Sequence, residues 1–189
     1  DKPLPFRGAN KRYIRLTKEN SNGNYFSSDK SSHMLRAIEN IDLNKPEIKY
    51  LVIDDFGYVI TNDFMSKALI KGYDKFNELA VSSWSILDRV RKLRPDLICF
   101  LMMHTDVKED GIAKPKTIGK MLDEKVCIEG MFTHVLHSIV VEGEYQFVTN
   151  HDGHHMAKMP MGMFNKLTIP NDLKMVADTM REYYDGDIV

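Results

Sequence analysis

The stretch Lys49-Tyr50-Leu51-Val52-Ile53-Asp54-Asp55 decides how the rest of this chain is read. Four consecutive apolar or aromatic residues, two of them β-branched, predict a strand buried on both faces, as the parallel sheet of an α/β domain requires. Two carboxylates close it. In open parallel sheets ligands bind outside the carboxyl ends of the strands, where the connecting loops form a crevice. An acid at such a tip can hold a hydrated Mg²⁺ beside a triphosphate. A plain buried strand with a solvated acidic end would look the same, so the neighbouring strands have to discriminate.

Strand, helix and strand follow one another on either side of this run. Upstream, Met34, Leu35, Ile38 and Ile41 have the spacing of one helix face. Downstream, Gly57 permits a sharp turn, Thr61 or Asn62 is the expected N-cap, and a long helical region bends near Gly72. Its first apolar face is Phe64, Met65, Ala68 and Leu69; its second is Phe76, Leu79, Ala80, Trp84, Leu87 and the end from Val90 to Leu93, with Pro95 as the stop. Leu97 to Met103 predicts a second doubly buried strand ending in His104-Thr105-Asp106. A βαβ unit puts His104 beside Asp54 and Asp55 on one sheet edge. There it can sense a terminal phosphate or its attacking water, or simply cap a strand through backbone contacts.

The 189 residues carry 43% hydrophobic residues, enough for one sizeable core, so the expected organisation is a single domain over 1–189. A formal net charge of −1 supplies no global field for nucleic acid. Any such contact must come from a local basic segment, and Lys108 to Lys120 is the most basic and flexible one, with Lys114, Lys116 and Lys120 against Glu109 and Asp110. Cys99 and Cys127 have neither metal-ligand nor disulfide spacing and fit buried thiols in a reducing cytoplasm. No run approaches the length of a membrane span.

Elsewhere, Asp1 to Lys11 is loop chemistry, Arg12 to Thr17 a short strand, and Ser21 to Lys30 a loop. Met131 to Val141 and Tyr145 to Thr149 predict a hairpin about Glu142-Gly143-Glu144 at the far edge of the parallel sheet. Asn150-His151-Asp152-Gly153-His154-His155 invites a metal, but adjacent histidines in a polar turn point apart. Pro170-Asn171-Asp172 caps a last helix whose face is Leu173, Val176, Ala177, Met180 and Tyr184, and which should cover the sheet.

The runs KYLVIDDFGYVITNDFM, GYDKF, FLMMHTD, KPKTIGKMLDEKVCIEGMF, YQFVTN, AKMPMGMF and IPNDL, in this order, resemble phage-encoded Sak-type, RecA-like P-loop ATPases associated with single-strand annealing and recombination. The resemblance implies a RecA-like three-layer α/β sandwich, with a mostly parallel sheet ending in an antiparallel hairpin. It also implies ATP and Mg²⁺ as cofactors, single-stranded DNA as a partner, a homo-oligomeric ring or filament, a possible link to single-stranded-DNA-binding protein, and the infected cell's cytoplasm as location. Asp54 looks like the Walker-B acid that holds Mg²⁺, with Asp55 an aid to water activation. His104 takes the place of the polar sensor that touches nucleotide. Lys114, Lys116 and Lys120 are DNA-contact candidates. Lys158 resembles the lysine of an AK-x-R-type element that reaches a neighbouring subunit's phosphates, although Pro160 stands where the arginine would be.

One departure is large. Family members resemble one another in a first strand and GxxxxGK[ST] phosphate loop ahead of a segment similar to Lys2-Pro3-Leu4-Pro5-Phe6-Arg7-Gly8, and this chain has no GxxxxGK[ST]. The expectation is therefore a fragment of a longer ATPase, with a degenerate, non-hydrolysing member as the other reading. The alternative function is a non-catalytic RecA-like interaction module that binds single-stranded-DNA-binding protein or its own copies.

Overall fold

The computed structural model describes residues 4–5, 7–118 and 120–186. The protein is mixed α/β, with three small sheets and two apolar clusters among the described residues. In chain order the elements are α1 (Ala9–Arg12), α2 (Ser31–Asn44), β1 (Tyr50–Ile53), α3 (Phe56–Ser66), α4 (Asp74–Val90), β2 (Ile98–Leu101), β3 (Thr105–Val107), β4 (Ala113–Pro115), α5 (Lys120–Lys125), β5 (His137–Val141), β6 (Glu144–Val148), β7 (Thr168–Pro170) and α6 (Leu173–Asp185), with a 3₁₀ turn at Glu129–Met131.

β1 and β2 pair in parallel, Tyr50 opposite Ile98 and Ile53 opposite Leu101, with α3 and α4 as the crossover that parallel strands need. The helices cover one face because their apolar positions recur at helical spacing. Leu79, Ala80, Ser83, Ile86, Leu87 and Val90 are all buried along α4. They pack with Ile38 of α2, Ile53 of β1, and Phe56, Val59 and Ile60 of α3. Arg94 fastens α2 to the connection into β2: its guanidinium donates to the carbonyls of Ile41 (2.8 Å) and Asp42 (2.9 Å), and its own N–H donates to the Asp42 carboxylate at 2.8 Å.

The expected double burial of β1 is not realised. Leu51 and Ile53 face the helices, but Tyr50 and Val52 on the opposite face stay 43% and 51% exposed. The reason is partial cover: Phe100 joins the second cluster beneath α6 and the Arg181 guanidinium lies 4.6 Å from the Tyr50 ring, while among the described residues β1 has a strand on one edge only.

The turn after β1 is also re-capped. Asp55, not Thr61 or Asn62, is the N-cap, its side chain accepting from Gly57 N, and the helix begins at Phe56. Ala68 and Leu69, expected on a buried face, are exposed because α3 ends at Ser66 and the chain leaves helical phase before α4; Met65 at the end of α3 and Trp84 within α4 are exposed as well.

The hairpin β5–β6 forms with Val141 opposite Glu144, and its two-residue turn places Glu142 at φ 52° and Gly143 at φ 87°, as a tight hairpin with positive φ at both positions requires. It does not extend the parallel sheet. With β7 it makes a separate antiparallel sheet in the order β5-β6-β7, which the unpredicted strand Thr168–Pro170 completes. The strand expected from Met131 starts only at His137. Phe147, Met159, Met163, Ile169 and Val176 form the second cluster, so α6 covers this sheet. Asp172 caps α6 as expected, accepting from Lys174 N and Met175 N.

Lys108 to Lys120 is less of a loop than its composition predicts: β3 and β4 pair antiparallel, with Asp106 opposite Lys114. Arg12 to Thr17 is no strand beyond an isolated Arg15–Tyr25 bridge, since the Asn24 side chain takes the Ile14 N–H and the Arg12 carbonyl instead. Asp1 to Lys11 holds the single helical turn α1, and residues 1–3 lie outside the described residues. Among the described residues no helix is long and apolar enough to cross a membrane.

Candidate functional site

The carboxyl ends of β1 and β2 meet because the ladder continues past the strands: Met102 N donates to Ile53 O at 3.0 Å, and Phe56 N donates to Met102 O at 3.0 Å. Phe56, fully buried, anchors the turn between them. Asp55 is thereby held against His104, and the peptide joining it to Asp54 is cis.

The two acids then diverge in role. Asp54 is exposed, and its carboxylate is available to solvent and to a solvated cation. Asp55 is largely buried, with 13% of its side chain exposed, and uses both oxygens. One accepts from Gly57 N at 2.7 Å and caps α3; the other lies 3.1 Å from His104 Nε2. This carboxylate is thus already spent on the helix and the imidazole. Asp55, expected to aid water activation, has both oxygens engaged, one by Gly57 N and one by His104. With Nε2 protonated toward Asp55, His104 Nδ1 presents a lone pair outward from a side chain that is 74% exposed. The Tyr58 ring stands edge-on to the imidazole at 6.5 Å, and Lys116 N donates to the His104 carbonyl at 2.8 Å, tying the exit of β4 to the same strand tip. Tyr58 carries no sequence motif; its place follows only from its position within the first turn of α3.

The other predicted residues gather elsewhere. Lys114 lies 3.4 Å from Asp110 across the β3–β4 turn, so its charge is partly answered on its own hairpin. Lys116 is exposed just beyond β4. Lys120 opens α5, and its side chain lies outside the described residues. Lys158 bridges to Val135 by paired backbone bonds of 2.8 and 2.9 Å and lines a cavity of about 320 Å³ with Cys127, Glu129, His151, Met156 and Ala157. Cys127, expected to be buried, is exposed; partial desolvation of its sulfur, reinforced by the Glu129 charge, still pushes the thiol up. Sequence reasoning did not find this cavity, since its walls come from four separate segments.

The histidine-rich turn is organised around a carboxylate. Asp152 accepts from the backbone N–H groups of His154 (2.9 Å) and His155 (2.8 Å) and from His155 Nδ1 (2.7 Å), which together hold its carboxyl well below the usual range, the imidazole bond being the largest cause. His137 stacks on His155 with centroids 4.3 Å apart; desolvation first, and then the His155 charge, lowers its affinity for a proton. Among the described residues no three His, Cys, Asp or Glu side chains converge as a metal-binding group.

An ion held mostly by water and phosphate needs only one protein carboxylate, and exposed Asp54 fits that demand for Mg²⁺. The triphosphate is different. The chain lacks GxxxxGK[ST], and the N-terminus of α3, the helix end beside the acids, is already closed by Asp55. These residues do not supply a phosphate cradle. Comparison with protein-family models, with curated proteins and with solved structures finds no match to this chain.

Proposed function

We propose that this chain is the metal- and water-handling part of a RecA-like ATPase that works on single-stranded DNA in phage recombination or annealing, within a homo-oligomer. The observation that carries the reading is the strand-tip group: an exposed Asp54 next to an Asp55–His104 pair, at the carboxyl ends of two adjacent parallel strands. Asp54 would orient a hydrated Mg²⁺. His104, steered by Asp55, would orient a water or accept its proton. Among the described residues none forms a phosphate cradle, so the reading requires one contributed from elsewhere.

That same lack favours a second reading, a non-catalytic RecA-like module that assembles with its own copies or with single-stranded-DNA-binding protein. One measurement separates them: phosphate release from Mg·ATP by the full gene product, with and without single-stranded DNA. DNA-stimulated release that falls on the order of 10²-fold in Asp54→Asn supports the enzyme. Release at the background rate in the wild type leaves the binding module.

A further inference from the structure

The largest unanswered positive charge in the chain lies not on β3–β4 but between Arg7 and Lys18. This stretch holds Arg7, Lys11, Arg12, Arg15 and Lys18 with no acid among them. All five are exposed, and among the described residues no ion pair engages Arg7, Lys11, Arg12 or Lys18. The other cationic runs differ. Arg89, Arg91, Lys92 and Arg94 are each paired with Asp42, Asp88 or Asp96, and Lys114 lies against Asp110. Over residues 7–30 six cations meet two acids, Glu19 and Asp29, in a chain whose net charge of −1 offers no general attraction for polyanions.

The segment is a built surface. After α1 the chain turns extended at Tyr13, and a return limb fastens it. Leu16 N donates to Tyr25 O at 2.7 Å and Asn24 N to Ile14 O at 2.9 Å, while the Asn24 side chain takes the Ile14 N–H (2.8 Å) and the Arg12 carbonyl (2.9 Å). Gly23 is required for this approach, because a Cβ there would lie 2.3 Å from Leu16 N. The backbone of the cationic limb is thus fixed from Arg12 to Leu16. Tyr13, 43% exposed, stands between Arg12 and Arg15, and the Arg15–Tyr25 bridge sets Phe26, 38% exposed, beside the same limb.

Cations interleaved with open aromatic faces suit a single strand, whose phosphates are neutralised while its unpaired bases stack. A duplex hides those faces, and α1, at four residues, is too short to read a groove. A membrane surface takes an amphipathic helix, which this extended limb does not form. We propose that the limb from Arg7 to Lys18 is a docking surface for single-stranded DNA, with Lys11, Arg12 and Lys18 on phosphates and Tyr13 stacked on a base. The inference rests on the single-strand reading above and adds a contact surface remote in sequence from β3–β4.

The test uses the full gene product, a fluorescein-labelled thymidine oligonucleotide, a duplex of the same length, and phosphatidylcholine vesicles containing phosphatidylserine. Changing Lys11, Arg12 and Lys18 together to alanine should lower the log–log salt slope for the single strand by roughly 2, about 0.7 for each phosphate contact. Tyr13→Ala should weaken single-strand binding about tenfold with the slope unaltered, the size of one lost stacking contact, whereas Tyr13→Phe should retain it. Melting curves should match the wild type, since these side chains are exposed. An unchanged slope in the triple variant overturns the docking surface and leaves single-strand binding intact. Absence of any oligonucleotide binding by the wild type overturns both. Equal affinity for the duplex, with Tyr13→Ala indistinguishable from wild type, reduces the limb to a general polyanion patch and overturns the proposal. So does sedimentation with the vesicles that the triple variant abolishes while its oligonucleotide binding is unaffected.

Discussion

Replacing Asp55 in two ways separates the structural from the chemical use of one carboxylate. Asp55→Ala removes the acceptor for Gly57 N, 2.7 Å away, and with it the cap of α3, a loss of about 1 kcal/mol for the hydrogen bond plus about 0.5 kcal/mol for the charge at the helix N-terminus. Asp55→Asn keeps the cap, because asparagine caps as well as aspartate, and loses only the charge contribution. For a domain of this size one kcal/mol moves Tm by about 2–4 °C, so the alanine variant should melt about 3–6 °C lower and the asparagine variant about 1–2 °C lower. The order reverses for His104. In Asp55→Asn the oxygen goes to Gly57 N, leaving the amide NH₂ to face Nε2, 3.1 Å from the carboxylate oxygen in the native protein. A donor there favours the opposite tautomer, so the outward nitrogen becomes a donor and can no longer take a proton from water. Turnover, if the proposed function holds, should fall by about 10²–10⁴ in Asp55→Asn and in His104→Ala alike, though both stay folded. Long-range ¹H–¹⁵N NMR of the His104 ring reads the tautomer without reference to activity. Equal melting of the two Asp55 variants would refute the cap. A wild-type His104 protonated on Nδ1 would refute the dyad.

Changing Lys114, Lys116 and Lys120 together to alanine should weaken single-stranded DNA binding and flatten its salt dependence by roughly 0.7 per lost phosphate contact, read by fluorescence anisotropy across a salt series. Asp42, whose carboxyl is held low by the Arg94 backbone N–H and then by Arg89, stabilises the fold above the ordinary carboxylate range and loses that contribution as pH falls through its lowered folded value. Asp42→Asn should therefore flatten the acid limb of a stability–pH curve below about pH 4. His137 has the same sign for a different reason: burial and the neighbouring His155 favour the neutral ring, so its contribution is present above about pH 6.5 and lost below it. His137→Asn should remove that step from urea midpoints measured between pH 7.5 and 5. Cys99, its thiol pushed up to about 12 by burial, should resist alkylation in the native protein at pH 8, while exposed Cys127 is modified first, as mass spectrometry of partly labelled protein would show.

The parts legible in the sequence are those fixed by local periodicity and capping. The strands at Tyr50–Ile53 and Ile98–Leu101, the helix carrying Leu79 to Val90, the break near Gly72 and the cap at Asp172 are all decided within a turn or two of chain, and they form where they were expected, although β1 lacks the double burial its apolar run implied. Two parallel strands joined by helices must align their carboxyl ends, so the meeting of the Asp54-Asp55 pair with His104 was legible too. Tertiary structure alone decided which carboxylate is free, because Asp54 and Asp55 are chemically identical and only the direction of α3 gives one to the helix and the other to solvent. It alone decided that β6 takes β7 rather than the parallel sheet as its neighbour, since strand propensity carries no partner label. And it set Lys158 beside Cys127, Glu129 and His151, a grouping of four separate segments that no spacing in the sequence encodes.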